Sequence, residues 1–222
     1  MLDYQMYFPN LNSNLLLKAI FILFFGAAAM NVSAQKVPAS ANDISPLLIG
    51  EYIPKDIMLR DVDGNEVNLK KEMNKKPTIL IFYRGGWCPY CNRQLSGLGE
   101  VSDYLVSIGY QIIAISPDTP EHLSLTYDKH MMNYSLLSDS DMTAAKSFGL
   151  AFELNDKEFS KYTNLGMDIV MTTGGTHRML PVPAVFFVRQ NGEINFEYIN
   201  PNFKKRISSS LLITAAETMS SE

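Results

Sequence analysis

Cysteine is almost missing from this sequence: 222 residues contain two, Cys88 and Cys91. A scaffold held together by several disulfides is thereby excluded. A single bridge between them would close a loop of about four residues and restrict the unfolded chain by only about 2 kcal/mol, a staple that a chain long enough to bury a sizeable core does not need. Histidine is scarce as well. None of His122, His130 and His177 stands at a spacing that would complete a four-ligand zinc site with the cysteine pair. Clusters of basic charge are lacking: 19 Lys and Arg are scattered among 23 Asp and Glu, for a formal net charge of -4. That balance leaves no electrostatic footprint for DNA or RNA, and no nucleic-acid partner is expected. The chain also shows no phosphate-cradling glycine loop, Ser–His–Asp set, paired-carboxylate site or internal repeat. Neither a cofactor nor a metal is expected.

Long apolar runs are absent after the first 34 residues. Those 34 carry Lys18, a 12-residue apolar run from Ala19 to Met30, and the small-residue site Val32-Ser33-Ala34. This is the layout of a secretory signal peptide cut after Ala34, and the run is well short of the roughly 20 residues needed to cross a bilayer. The alternative is an uncleaved anchor over Leu15 to Met30, in which case the membrane is a partner. Seventeen residues precede Lys18, Asp3 among them, so Met6 is an alternative start. The expected organisation is a signal peptide over 1–34, a small, polar linker over 35–45 and one domain over 46–222, exported to a periplasmic or other extracytoplasmic location.

The remainder, in a chain 46% apolar and 19% charged, has the composition of an ordinary globular domain. Leu59 to Leu69 alternates about Asp63-Gly64 and reads as a hairpin. Thr78 to Tyr83 (TILIFY) is an apolar run between a lysine-rich turn and a glycine pair, as in a strand buried on both faces. From Asn92 the period changes. Leu95, Leu98, Val101, Leu105 and Ile108 form the stripe of an amphipathic helix, which Gly109 stops. A second buried strand, Gln111 to Ser116, follows. Strand, helix and strand with short joints form a βαβ unit with parallel strands and a right-handed crossover. Thr119 as N-cap and Pro120 open another helix. Tyr134 to Leu137 reads as a short strand and Asp141 to Phe148 as a helix ended by Gly149. Ala151 to Leu180 shows no strong period and is expected as an insertion packed over one side of the sheet, with a tip at Gly174-Gly175. Pro183 to Val188, Asn191-Gly192 and Glu193 to Ile199 form a hairpin with a two-residue turn. A helix over Ile207 to Met219 ends the chain.

This order places both cysteines after a central strand, in the first turn of a helix, where open α/β sheets hold their sites. A thiolate is the reactive form of cysteine, and the free N–H groups and dipole of a helix start stabilise it. Cys88 falls at the N-cap, Pro89 suits the first helical position, and Cys91, one turn on, faces Cys88. The pair can then cycle between dithiol and disulfide. Arg84 adds positive potential if it turns toward the pair rather than to solvent. Trp87, the one tryptophan, shields the sulfurs or anchors the core.

Taken together, these elements and the motif WCPYC resemble the thioredoxin fold, and CPYC matches the glutaredoxin tetrapeptide. The flanks FYRGGWCPYCNRQL, YQIIAISPD, LLSDSDMTAAKSFGL and PVPAVFFVRQNGEINFEYINPNFKKR resemble the peroxiredoxin-like members of the AhpC/TSA (alkyl hydroperoxide reductase and thiol-specific antioxidant) family, over about Pro46 to Ala216. The resemblance implies an α/β thioredoxin-like fold: a central mixed sheet flanked by helices, with an N-terminal hairpin and an insertion before the last hairpin. It implies that Pro183 abuts the cysteine pair in a cis peptide bond, that the backbone there pairs with an incoming peptide, and that Trp87, Pro89, Tyr90 and Arg84 support the site. In peroxiredoxins the peroxidatic cysteine follows a threonine by three residues, and an arginine stands where Pro183 does. That pattern puts Cys91 in the peroxidatic place and Cys88 in the threonine's. Both helper residues are therefore replaced.

The leading expectation is an exported thiol-disulfide oxidoreductase in which Cys88 attacks a protein or small-molecule disulfide and Cys91 resolves the mixed disulfide. The alternative is an antioxidant thiol peroxidase acting on hydrogen peroxide or organic hydroperoxides, with Cys91 as the attacked thiolate and Cys88 resolving its sulfenic acid. Either requires a thiol electron donor that the sequence does not identify. A third reading, a non-enzymatic binding module with a permanent Cys88–Cys91 disulfide, uses the 151–180 insertion as its contact surface.

Overall fold

The computed structural model describes residues 36–130, 134–175 and 177–220, with the backbone alone at 127–130; the expected signal peptide over 1–34 lies outside them. In chain order the elements are β1 (Met58–Arg60), β2 (Glu66–Asn68), α1 (Leu69–Met73), β3 (Thr78–Phe82), α2 (Pro89–Ser107), β4 (Gln111–Ser116), α3 (Pro120–His130), β5 (Ser135–Ser138), α4 (Thr143–Ser147), β6 (Ala151–Glu153), α5 (Asp156–Asn164), α6 (Ile169–Thr172), β7 (Met179–Pro181), β8 (Ala184–Val188), β9 (Ile194–Ile199) and α7 (Ser209–Ser220). Seven strands form one mixed sheet in the order β2-β1-β5-β4-β3-β8-β9. β3 runs parallel to β4, with Thr78 opposite Gln111 and Phe82 opposite Ile115, and antiparallel to β8.

β3 shows why this stretch can only be central. Its alternate residues feed two cores. Ile79, Ile81 and Tyr83 pack with Leu95 and Leu98 of α2 and Leu212 and Ala216 of α7. Leu80 and Phe82 pack on the other face with Phe148 and Phe186. All five β3 residues are buried, and each such large aliphatic contributes about 1.5–3 kcal/mol. The stripe of α2 faces the first core, and the helix ends where Gly109, at φ +103°, lets the Tyr110 N–H turn back to the Leu105 carbonyl.

Helix α2 begins at Pro89 with Cys88 as its N-cap, as expected, because the proline's fixed φ starts the helix without help from periodicity. Three expectations change. The last hairpin turns through three residues, with the Gly192 N–H bonded to the Arg189 carbonyl, the Arg189 N–H to the Glu193 carbonyl, and Gly192 at φ +92°. A type I turn closed by a left-handed glycine needs only one positive φ, whereas the expected two-residue turn needs two, the first of them on Asn191. The 151–180 stretch carries regular structure: β6 pairs antiparallel with β7 in a separate two-stranded sheet, and α5 and α6 lie between them. Its elements are too short, or in α5 too exposed, to leave a period. The described residues contain no cis peptide bond, so Val182-Pro183 is trans and Pro183 stands just ahead of β8, a position where a missing N–H leaves the sheet ladder intact.

Candidate active site

The site is built where β3 runs out. The Tyr83 N–H still bonds to the Ile115 carbonyl, after which the chain turns through Arg84 to Trp87 into α2. Gly85, at φ +132°, cannot be replaced without strain: a Cβ there would lie 2.5 Å from Trp87 Nε1 and 2.7 Å from Asp118 Oδ1. The Gly86 N–H donates to Asp118 Oδ2 at 2.8 Å, and the Asn92 side-chain amide donates to the Gly86 carbonyl at 2.9 Å. The loop is therefore pinned from β4 and from α2, which fixes where the helix starts.

Cys88 is the N-cap of α2, with extended backbone and Pro89 at the first helical position. It makes no side-chain capping hydrogen bond. Cys91 lies one turn on. Both are free thiols, 1% and 0% exposed. The Cys91 sulfur accepts from the Arg84 backbone N–H at 3.5 Å and from Arg206 Nη2 at 3.4 Å.

The two thiols are driven apart by their surroundings. The Cys91 thiol, directed at the Cys88 sulfur, draws Cys88 down to about 6 against the opposing effect of burial, and the Cys91 backbone N–H and the charges of Arg84 and Arg206 add to the fall. Burial pushes Cys91 well up, and its bond to Cys88 adds to that. The resting pair thus shares one proton, held on Cys91, with the charge on Cys88. Behind the loop, burial pushes the Asp118 carboxyl up to about 6, although the Gly86 N–H and the Ser116 hydroxyl favour its charged form. Burial likewise pushes Asp139 up to about 7, although it accepts the Ala144 and Ala145 N–H groups at the start of α4.

These two buried acids give a stability prediction. Their folded values lie above the ordinary carboxyl value of 3.8, so between about pH 4 and 7 the folded state binds more protons than the unfolded one and stability falls as pH rises. From about 6 to 9 the lowered Cys88 thiol acts the other way, since there the folded state has already released its proton. Calorimetry of the reduced protein is expected to give a higher melting temperature at pH 5 than at pH 7, and a rise over that interval would contradict the assignment.

The expected supporting residues are placed as follows. Arg84 is buried, 1% exposed, and not at the surface. Its Nη2 donates to the Tyr162 hydroxyl, and its guanidinium carbon stands 5.2, 4.9 and 4.2 Å from the ring centres of Trp87, Tyr162 and Phe203. Trp87 and Tyr90 pack against the core that contains both cysteines. Tyr90 also meets Phe203 edge-on at 5.6 Å. Pro183 shares a small cavity with Arg84, and Val182 donates its N–H to the Leu150 carbonyl at 2.9 Å. The backbone donor expected to pair with a peptide is therefore already taken. His122 and His177 bond to Thr119 and the Ser140 carbonyl, away from the sulfurs; the His130 side chain lies outside the described residues. Arg206, Asp118 and Phe203 were not singled out from sequence. Arg206 stands 115 residues beyond Cys91, in the quoted FKKR stretch, and no local pattern distinguishes it from its basic neighbours.

Several known proteins are similar to this chain. The model of the AhpC/TSA family matches residues 49–197. Peroxiredoxin Bcp of Escherichia coli (strain K12) is 36% identical over 107 residues, covering 48% of this chain and 67% of that protein. A putative peroxiredoxin bcp of Haemophilus influenzae is 32% identical over 159 residues, covering 70% of this chain and 98% of its own length. Among solved structures, peroxidoxin BcpB of Mycobacterium tuberculosis superposes with a TM-score of 0.60 at 16% identity, over 78% of this chain and 96% of that one. Reduced Prx3 of Vibrio vulnificus in complex with hydrogen peroxide gives 0.63 at 14% identity, over 77% and 99%. These structural likenesses establish the thioredoxin-like fold.

Proposed function

The chain belongs to the AhpC/TSA family, and from that premise we propose that it is a thiol-dependent peroxidase that reduces hydrogen peroxide or organic hydroperoxides through Cys88 and Cys91. One observation carries the choice over protein disulfide exchange. Both sulfurs are buried, and the Val182 N–H that a docking peptide needs is bonded to Leu150. A peroxide is small enough to enter such a site, whereas a disulfide on a protein has to bring its own backbone with it. The peroxiredoxin names of the relatives support the same reading.

The Cys88 thiolate attacks the terminal oxygen of the peroxide; an S–O bond forms, the O–O bond breaks, and the leaving alkoxide or hydroxide takes the proton from Cys91. Cys88 is then a sulfenic acid. The Arg84 N–H and Arg206 Nη2, already directed at the Cys91 sulfur, stabilise the charge that Cys91 acquires. Cys91 attacks the Cys88 sulfur, the S–S bond forms, and hydroxide leaves to be protonated by solvent. An external dithiol restores the pair with two electrons and two protons. The converse assignment, Cys91 attacking and Cys88 resolving, is favoured by the two donors on the Cys91 sulfur and by its place in the family pattern. The resting charge favours Cys88.

With excess dithiol donor, hydrogen peroxide is expected to turn over and a protein disulfide to be reduced far more slowly; the opposite order of rates overturns the proposal. Because Cys88 titrates at about 6, the second-order rate with peroxide is expected to rise about tenfold per pH unit below 6 and to level off above 7. A plateau reached only above pH 9, followed by stopped-flow Trp87 fluorescence, would mean that an ordinary thiol does the work. Export through residues 1–34 belongs to the same proposal and is checked by cell fractionation.

A further inference from the structure

Between α2 and the start of α7 lies a cleft of about 590 Å³. Four cations border it: Arg93 on α2, and Lys204, Lys205 and Arg206 on the loop that leads from β9 into α7. Glu100 is the one acid in its lining. None of the five is in an ion pair, since the ion pairs among the described residues are Lys75–Glu72 and Arg178–Asp156. Ser208 and Ser209 also border the cleft, so the positive end of the 12-residue α7 adds to the same field. The fold gathers these charges from two distant parts of a chain whose formal net charge is -4, and like charges held together repel until an anion joins them.

The cleft adjoins the reacting pair. Tyr90, between the two cysteines in sequence, borders it, and Arg206 reaches from its lining to the Cys91 sulfur, with Nη2 at 3.4 Å. Hydrogen peroxide and alkyl hydroperoxides are uncharged near neutral pH and gain little from four cations. The other reactant that a peroxidase cycle needs is the thiol that reduces the Cys88–Cys91 disulfide. A thiol bearing carboxylates is attracted to such a cleft, and cations beside a bound thiol raise its thiolate fraction. The volume suits a small molecule, and a small reductant agrees with the burial of both sulfurs.

We propose that this cleft binds a low-molecular-weight thiol with two or more carboxylates, the reductant of the Cys88–Cys91 disulfide, its carboxylates paired with Arg93, Lys204 and Lys205. Its place in a peroxidase cycle rests on the peroxidase reading; its reaction with the disulfide does not. The bound thiolate attacks Cys91, the sulfur beside Arg206. A disulfide bond to the reductant forms, the Cys88–Cys91 bond breaks, and its electron pair leaves on Cys88, the better leaving group because its thiolate is stable at lower pH. A second thiolate attacks the reductant's own sulfur, and Cys91 departs and takes a proton. Two thiols thus become one disulfide and supply the two electrons that a single dithiol would, and the remaining proton goes to solvent.

Trp87, packed against the core that holds both cysteines, reports on the pair. The full-length protein is oxidised to the Cys88–Cys91 disulfide with diamide and mixed, without peroxide, with excess mercaptosuccinate or its uncharged analogue mercaptosuccinamide, while Trp87 fluorescence follows the return of the dithiol. Each rate is divided by the rate of the same thiol with bis(2-hydroxyethyl) disulfide, which removes the difference in intrinsic reactivity. By this measure the charged thiol is expected to be about tenfold faster at low salt, and the preference to shrink severalfold in about 0.5 M sodium chloride. The triple variant Arg93→Gln, Lys204→Gln, Lys205→Gln alters only exposed side chains; shown folded by circular dichroism, it is expected to lose the preference. Equal normalised rates with the wild type overturn the proposal whatever the variant does, as does a folded variant that keeps the preference. Peroxide consumption by the reduced wild type is measured separately. Its failure beside an intact charge preference removes the peroxidase reading and keeps the cleft, and the reverse pattern removes the cleft alone.

Discussion

Cys88→Ser is expected to lower the peroxide reaction at least about a thousandfold, because a hydroxyl at this position is not ionised at neutral pH and no second activated nucleophile replaces it. Cys91, left alone, would have to react as a thiol that burial holds well above its ordinary value. Cys91→Ser behaves differently. It keeps the attacking sulfur and the charges of Arg84 and Arg206, but loses the thiol hydrogen bond that lowers Cys88 most. It is expected to consume about one equivalent of peroxide and stop, with a sulfenic acid on Cys88 that dimedone captures and mass spectrometry locates. Stopped-flow peroxide consumption by both variants, with thermal unfolding as the folding control, decides the assignment. Rapid consumption by Cys88→Ser together with none by Cys91→Ser would exchange the roles and return the nucleophile to the position that the family pattern gives it.

The second large effect is structural and lies on the opposite face of the sheet. Gly149→Ala is expected to destabilise the protein by about 2–5 kcal/mol. Gly149 stands at φ +67°, where a side chain costs about 1–2 kcal/mol. The new Cβ would also lie 1.8 Å from the Ser45 carbonyl oxygen and 2.6 Å from its carbon, and overpacking against backbone adds about 1–3 kcal/mol. The clash falls where the N-terminal segment docks, since the Leu47 N–H bonds to the Phe148 carbonyl at 3.2 Å and Val37, Ile44 and Leu47 pack on the second core. For a domain of this size the melting temperature would fall by roughly 5–15 °C. An unchanged melting temperature would mean that this segment is not held against Gly149. The peroxide reaction of the folded fraction is expected to be unaltered, because Phe148 and Cys88 belong to different cores.

How much of this was readable beforehand depends on how each element earns its place. β3, α2 and β4 were legible because their burial is nearly complete and continuous: a strand covered on both faces, and a helix with one apolar stripe, leave patterns that little else imitates. The cysteine pair was legible for a local reason, since the N-cap, the proline after it and the one-turn spacing are all contained in WCPYC. The 151–180 stretch was illegible because β6 and β7 have three residues each and α5 has no buried residue. The trans bond before Pro183 and the occupied Val182 N–H depend on where β6 and β7 lie, which no local rule states.

The amino-acid order alone fixes a βαβ unit and sets two sulfurs one helical turn apart at its turn, because burial period and helix-start chemistry act over a few neighbouring residues. Only the tertiary structure decides which sulfur carries the charge and what can reach it. Arg206, Asp118 and the Leu150 carbonyl that takes the Val182 N–H arrive from distant parts of the chain, and desolvation and Coulomb fields are set by distance in space rather than by separation along the backbone.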